Sequence, residues 1–105
     1  MAVARRAFSR GEVHLVGLGR KTRPCLVVSP NELNRHLRTV IVAPMTTAGQ
    51  AYPWRVPCRL KSRAGFVALD QARTVDGERL VKKLGRLAPS TTTEVHRVLR
   101  EMFAE

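Results

Sequence analysis

Three short runs of apolar, largely β-branched residues constrain this chain most: Pro24-Cys25-Leu26-Val27-Val28, Val40-Ile41-Val42-Ala43-Pro44-Met45 and Phe66-Val67-Ala68-Leu69. Runs of this length and composition fit buried strands and are too short for core helices. Each is bounded by polar residues, with Thr22-Arg23 before the first, Thr46-Thr47 after the second, and Asp70-Gln71 followed by Arg73-Thr74 after the third. A small sheet made from these runs gathers their polar ends at one edge of the core.

The rest of the chain supports that sheet. Glu12 to Leu18 reads as a strand joined through Gly19-Arg20-Lys21-Thr22 to a second strand over Arg23 to Ser29, giving a hairpin. Ser29-Pro30-Asn31-Glu32 has the pattern of a capping box with Pro at the first helical position and predicts a short helix over Asn31 to His36. Thr39 to Pro44 is apolar enough to be the central strand, and Thr46 to Gln50 is a polar loop. Tyr52 to Leu60 alternates and carries Pro53 and Pro57, which suits an edge strand. Gly65 to Gln71 is a further strand, a turn is expected at Asp76-Gly77, and Val81 to Leu87 is a last, outlying strand. Pro89 to Phe103 is the long helix, with Val95, Val98, Leu99 and Met102 spaced as one apolar stripe. Short antiparallel strands closed by one C-terminal helix predict a mainly β fold, a small, strongly curved, barrel-like sheet with helices attached.

A chain of 105 residues makes a single domain, 1–105, opening on a basic arm over residues 1–10. Nineteen Lys and Arg against eight acids leave a net charge of +11, a field that attracts polyanions such as nucleic acids. With one Trp, one Tyr and three Phe the composition argues against a broad stacking platform for single strands. No apolar run is long enough to span a bilayer and the N-terminus lacks the apolar middle of a signal peptide, so a cytoplasmic protein is expected. Cys25 and Cys58 lie in apparent strands outside any Cys/His cluster and read as buried free thiols.

The chemistry narrows by elimination. His14, His36 and His96 are unpaired with acids at ligand spacing, and no metal motif, phosphate-binding glycine loop or nucleophile elbow occurs, so neither metal nor cofactor is expected. What remains is phosphodiester chemistry by side chains alone. RNA supplies its own nucleophile, the 2′-hydroxyl. The protein then needs a base, a donor for the charge building on phosphorus, and a proton for the leaving 5′-oxygen. Arg23 suits the second role, since its planar fork matches two phosphate oxygens and the following Pro24 holds it extended. Thr46 and Thr47 follow the central strand directly, as turn hydroxyls or as phosphate donors. Asp70 either pairs with Arg73 or Arg23 or is poised as a base, and mid-strand His14 is a packed histidine or, if it shares the face of Arg23, a proton carrier.

Taken in order, Arg10-Gly11-Glu12-Val13, Arg23-Pro24-x-Leu26-Val27-Val28-Ser29-Pro30, Val42-Ala43-Pro44-x-Thr46-Thr47 and Leu69-Asp70-Gln71-x-Arg73-Thr74-Val75-Asp76 resemble the MazF/PemK toxins, over nearly everything from Arg10 onward. The resemblance implies an SH3-like barrel and a homodimer. It also implies a sequence-specific, metal-independent endoribonuclease that cuts single-stranded RNA to a 2′,3′-cyclic phosphate and a 5′-hydroxyl and is silenced by an antitoxin, here expected to be acidic. Arg23 and Thr46 match the catalytic arginine and threonine. Thr47, Asp70 and Gln71 match RNA contacts, with Lys21 and Arg73 added as expected RNA-binding cations. The chain departs from the pattern between Leu18 and Arg23, where a longer loop usually covers the site. The departure implies a more open site with weaker RNA cover. It leaves two alternatives: a relative that binds RNA or antitoxin without cutting, and a gyrase poison of the CcdB type, which shares the barrel.

Overall fold

In a computed structural model that describes residues 8–47, 49 and 51–105, the apolar runs pair as antiparallel strands of one curled sheet. Seven strands are formed: β1 (Glu12–Leu18), β2 (Lys21–Val27), β3 (Thr39–Thr46), β4 (Arg55–Leu60), β5 (Arg63–Ala68), β6 (Arg73–Asp76) and β7 (Leu80–Arg86). Helix α1 spans Asn31–His36, helix α2 spans Pro89–Met102, and 3₁₀ turns occupy Leu69–Gln71 and Gly77–Arg79. Most of the expected basic arm falls at residues 1–7, outside the described residues.

The apolar central run becomes β3, which β2 flanks on one side. On the other side β6 pairs its first half, through Val40↔Val75 and Val42↔Arg73, and β5 pairs its end, through Met45↔Val67 and Thr46↔Phe66. β3 therefore passes from one half of the sheet to the other, and the sheet curls around it. Strand β4, with Pro57, and strand β7, with Lys82 and Lys83, end the strand order, and β6 pairs with β3 alone among the described residues.

Strand alternation divides the buried residues between the two faces. Val13, Leu26, Val28, Ala43 and Val67 form one core, which α2 covers with Val95 and Val98; Leu99 packs at its border. Burying each valine of the helix contributes about 1.5–3 kcal/mol. Met102, the last position of the stripe, is 38% exposed and stands outside this core. The opposite face holds a second core of Val16, Cys25, Val27, Val40, Val42, Val75 and Leu80. Cys25 and Cys58 are buried free thiols.

Several local expectations are corrected. Helix α1 has its expected bounds but no capping box: Pro30 is the N-cap and no side chain caps it. The Ser29 hydroxyl instead donates to Asn34 Oδ1 and accepts from the Ile41 N–H at 3.0 Å, tying the helix to β3. Strand β2 runs over Lys21–Val27, two residues earlier at each end than expected, and β3 runs on through Thr46. Strand β4 starts only at Arg55, leaving Tyr52 and Trp54 before it, and β5 ends at Ala68, after which Leu69–Gln71 winds into a turn.

A cationic cleft as candidate active site

On the face of the second core, each strand changes from apolar to polar at nearly the same level. β2 runs outward from Val27 and Cys25 to Arg23 and Lys21, β3 from Val42 to Pro44 and Thr46, and β6 from Val75 to Arg73. Cross-strand partners share a face, and Cys25↔Pro44 and Val42↔Arg73 lock these rows together. Beyond the apolar floor opens a cleft of about 470 Å³ lined by Leu18, Arg20, Lys21, Arg23, Pro44, Gln71 and Arg73. Four of those seven residues are cations and none is an acid, so the cleft is built for an anion.

Arg23 is half-buried, and its Nη2 donates to the Met45 carbonyl at 3.2 Å. One bond to β3 fixes the guanidinium while most of its five donors stay available. The β2–β3 pairing ends at Cys25↔Pro44, two residues short of both Arg23 and Thr46. Thr46 is half-buried, beside the carbonyl that holds Arg23. At its back lies Gly65, where an added Cβ would come within 2.6 Å of the Thr46 carbonyl oxygen. Beneath the cleft, burial pushes the Cys25 thiol up to about 11, against the pull of Arg23 and Arg73, so it is a neutral part of the floor.

Of the residues expected to bind RNA, Lys21, Gln71 and Arg73 line the cleft with Arg23. Thr46, Thr47 and Asp70 are not among its lining residues; Thr47 is exposed just past the end of β3. Asp70 was expected to pair with Arg73 or Arg23 or to serve as a base, but its carboxylate is held by Arg55, through Nε at 3.2 Å and Nη2 at 3.3 Å. Fifteen residues separate that pair, and only the β4–β5 register, Arg55↔Ala68, brings them together. Arg20, which the sequence reading does not single out, also lines the cleft; its signal is its place at the tip of the two-residue turn between Leu18 and Lys21.

His14 shares the face of Arg23 by register, but it lies deeper, opposite Cys25. It is buried and bonded through Nε2 to Glu12 Oε1 at 2.9 Å, with Phe8 edge-on at 5.4 Å. That contact set makes it a packed histidine rather than a proton carrier of the cleft. Among the described residues, no three His, Cys, Asp or Glu side chains form a group that could hold a metal ion, and no helix is long and apolar enough to cross a membrane.

The chain is similar to known proteins over almost its whole length. Residues 9–103 match the family described as PemK-like, MazF-like toxin of type II toxin–antitoxin system. A curated relative, Endoribonuclease MazF1 of Mycobacterium bovis, is 31% identical over 91 residues, which cover 86% of this chain and 87% of that protein. Among solved structures, a mycobacterial endoribonuclease in complex with its cognate antitoxin superposes with a TM-score of 0.83 at 30% identity, covering 90% of this chain and 93% of the other. A second mycobacterial endoribonuclease gives 0.82 at 28%, covering 92% and 91%.

Proposed function

Because this chain belongs to the family of PemK-like, MazF-like toxins of type II toxin–antitoxin systems, we propose that it is an endoribonuclease that cuts single-stranded RNA in its cationic cleft. The observation that carries the reading is the set of Arg20, Lys21, Arg23 and Arg73 around one cleft, with Arg23 tied to the carbonyl next to Thr46.

The chemistry assigned to these residues follows from their donors. A scissile phosphate in the cleft meets the guanidinium of Arg23, which stabilises the charge gathering on the phosphoryl oxygens as the 2′-oxygen attacks phosphorus. A bond forms from the 2′-oxygen, which loses its proton, and the bond to the 5′-oxygen breaks. The products are a 2′,3′-cyclic phosphate and a 5′-hydroxyl, the latter taking up a proton. The Thr46 hydroxyl donates to the same phosphate. Lys21, Arg73 and Gln71 hold the flanking backbone, while Thr47 and Asp70 border its path. The reaction so written consumes no metal. The protein acts in the cytoplasm as a homodimer and is neutralised by an antitoxin whose acidic segment suits the basic surface.

The two-residue tip at Gly19-Arg20 leaves no longer β1–β2 loop over the cleft, and this favours a second reading, an RNA binder that does not cut. One assay separates the two. The purified chain is incubated with a long RNA in EDTA and the new 5′ ends are mapped. Defined cuts that vanish in Arg23→Ala support the nuclease. Intact RNA with a retained gel shift supports the binder, and gyrase-dependent DNA breaks would refute both.

A further inference from the structure

The scarcity of aromatic residues hides a feature that only the fold assembles. Tyr52 and Trp54, one on each side of Pro53, stack with ring centroids 5.5 Å apart and planes 9° from parallel, and each is 40% exposed. The guanidinium of Arg55 lies 5.3 Å from the centre of the Tyr52 ring and is fixed by both oxygens of Asp70. The backbone completes the anchorage: Arg55 N–H donates to the Tyr52 carbonyl at 2.9 Å, and Leu69 N–H donates to the Trp54 carbonyl at 3.2 Å. The aromatic pair is thus secured to the 3₁₀ turn Leu69–Gln71, whose last residue lines the cationic cleft.

We propose that the Tyr52–Trp54 stack is a base-binding platform, on which an unpaired nucleobase of the RNA held in the cleft is stacked. The inference rests on the nuclease or RNA-binding reading of the cleft and adds a subsite to it. Flat, parallel, half-exposed rings match the face of a base, and any base supplies such a face. Through the Leu69–Trp54 bond the platform is joined to the turn whose Gln71 lines a cleft with four cations, where the phosphates of the same strand would lie. The charge of Asp70 is offset by its ion pair with Arg55, the cation beside the Tyr52 ring. A stack of this kind separates the duties of the site: the cleft grips phosphate regardless of sequence, and the platform requires an unstacked base, which selects single-stranded over paired RNA.

Trp54 is the single tryptophan of the chain, so its fluorescence reports on the platform alone. The probe is a short, mixed-sequence single-stranded RNA with 2′-fluoro sugars, which cannot be cut, titrated into the full chain. Trp54 emission is expected to fall on binding. Trp54→Ala is expected to weaken binding of the fluorescein-labelled probe by about five- to a hundredfold, whereas Trp54→Phe stays within about threefold. A probe bearing abasic sites should bind the wild type as poorly as the intact probe binds Trp54→Ala. Melting curves matching wild type confirm that each variant is folded. Binding that leaves the emission unchanged, or full affinity in Trp54→Ala, overturns the platform. So does quenching by an acidic peptide but not by RNA, which would give the surface to a protein partner. Loss of RNA cleavage in Arg23→Ala is read separately, so the platform and the nuclease can fail independently.

Discussion

Substituting alanine for Gly65 tests the proposed catalytic geometry without touching a reacting group. The added Cβ would lie 2.6 Å from the carbonyl oxygen of Thr46, 3.4 Å from its carbonyl carbon and 3.7 Å from the Cα of Thr47, all backbone atoms of the adjoining strand and loop. Contact with a backbone atom is not relieved by turning a side chain. The β3–β5 pair must open by about 0.5–1 Å to restore ordinary van der Waals distance. Thr46 moves with that segment, and so does Met45, whose carbonyl holds Arg23. A displacement near 1 Å in a positioned reacting pair costs about a hundredfold in rate, while overpacking costs about 1–3 kcal/mol of stability. Single-turnover cleavage of a defined RNA should therefore fall about ten- to a hundredfold in Gly65→Ala, at a temperature where melting shows the protein still folded. Gly17→Ala is the control, because its added Cβ would meet only the Arg79 carbonyl oxygen, at 3.9 Å, and it should cleave as wild type. Cleavage by Gly65→Ala within twofold of wild type, with an unchanged melting temperature, would refute the reasoning.

Two further outcomes follow from titratable groups away from the cleft. Burial raises the pKa of Glu12, but hydrogen bonds from His14, the Ser9 N–H and Lys83 outweigh it and hold the carboxyl below its ordinary value of 4.5. A folded pKa below the unfolded one means that this stabilisation is present above the unfolded value and is lost as pH falls through the folded one. Glu12→Gln should thus cost about 1–3 kcal/mol at neutral pH by denaturant titration, and the deficit should shrink below pH 4.5; a deficit constant with pH would disprove the assignment. Cys25 is fully buried, with its thiol pushed up to about 11, so mass spectrometry should find it unalkylated by iodoacetamide at pH about 8 until denaturant is added. Rapid modification of the native protein would contradict that burial.

The sheet was legible because its signals are local. Alternation and β-branching mark β1, β3 and β4, and the stripe at Val95, Val98 and Leu99 marks α2, since one buried face imposes its period on the sequence. The ends were less so. Ser29 carries a capping pattern, yet its hydroxyl finds a better partner in the buried Asn34 and Ile41, 12 residues away in the second case. The Tyr52–Trp54 segment alternates like a strand but lies before β4, and its two rings stack on each other.

The candidate site divides in the same way. Arg23-Pro24, Thr46-Thr47 and Asp70-Gln71 are visible as polar residues at the ends of apolar runs, which follows from sequence order alone. Which of them share a cleft depends on register, since shifting a strand by one residue turns each of its side chains to the opposite face. Register and the turn after β5 bring Arg23, Arg73, Lys21 and Gln71 together, and the β4–β5 register commits Asp70 to Arg55 instead. A basic, mainly β chain and the types of group available for phosphodiester chemistry follow from residue order, because composition and period act over a few neighbouring residues. Which charges stand together and which cancel is settled in the fold, because those pairings cross strands that lie far apart along the chain.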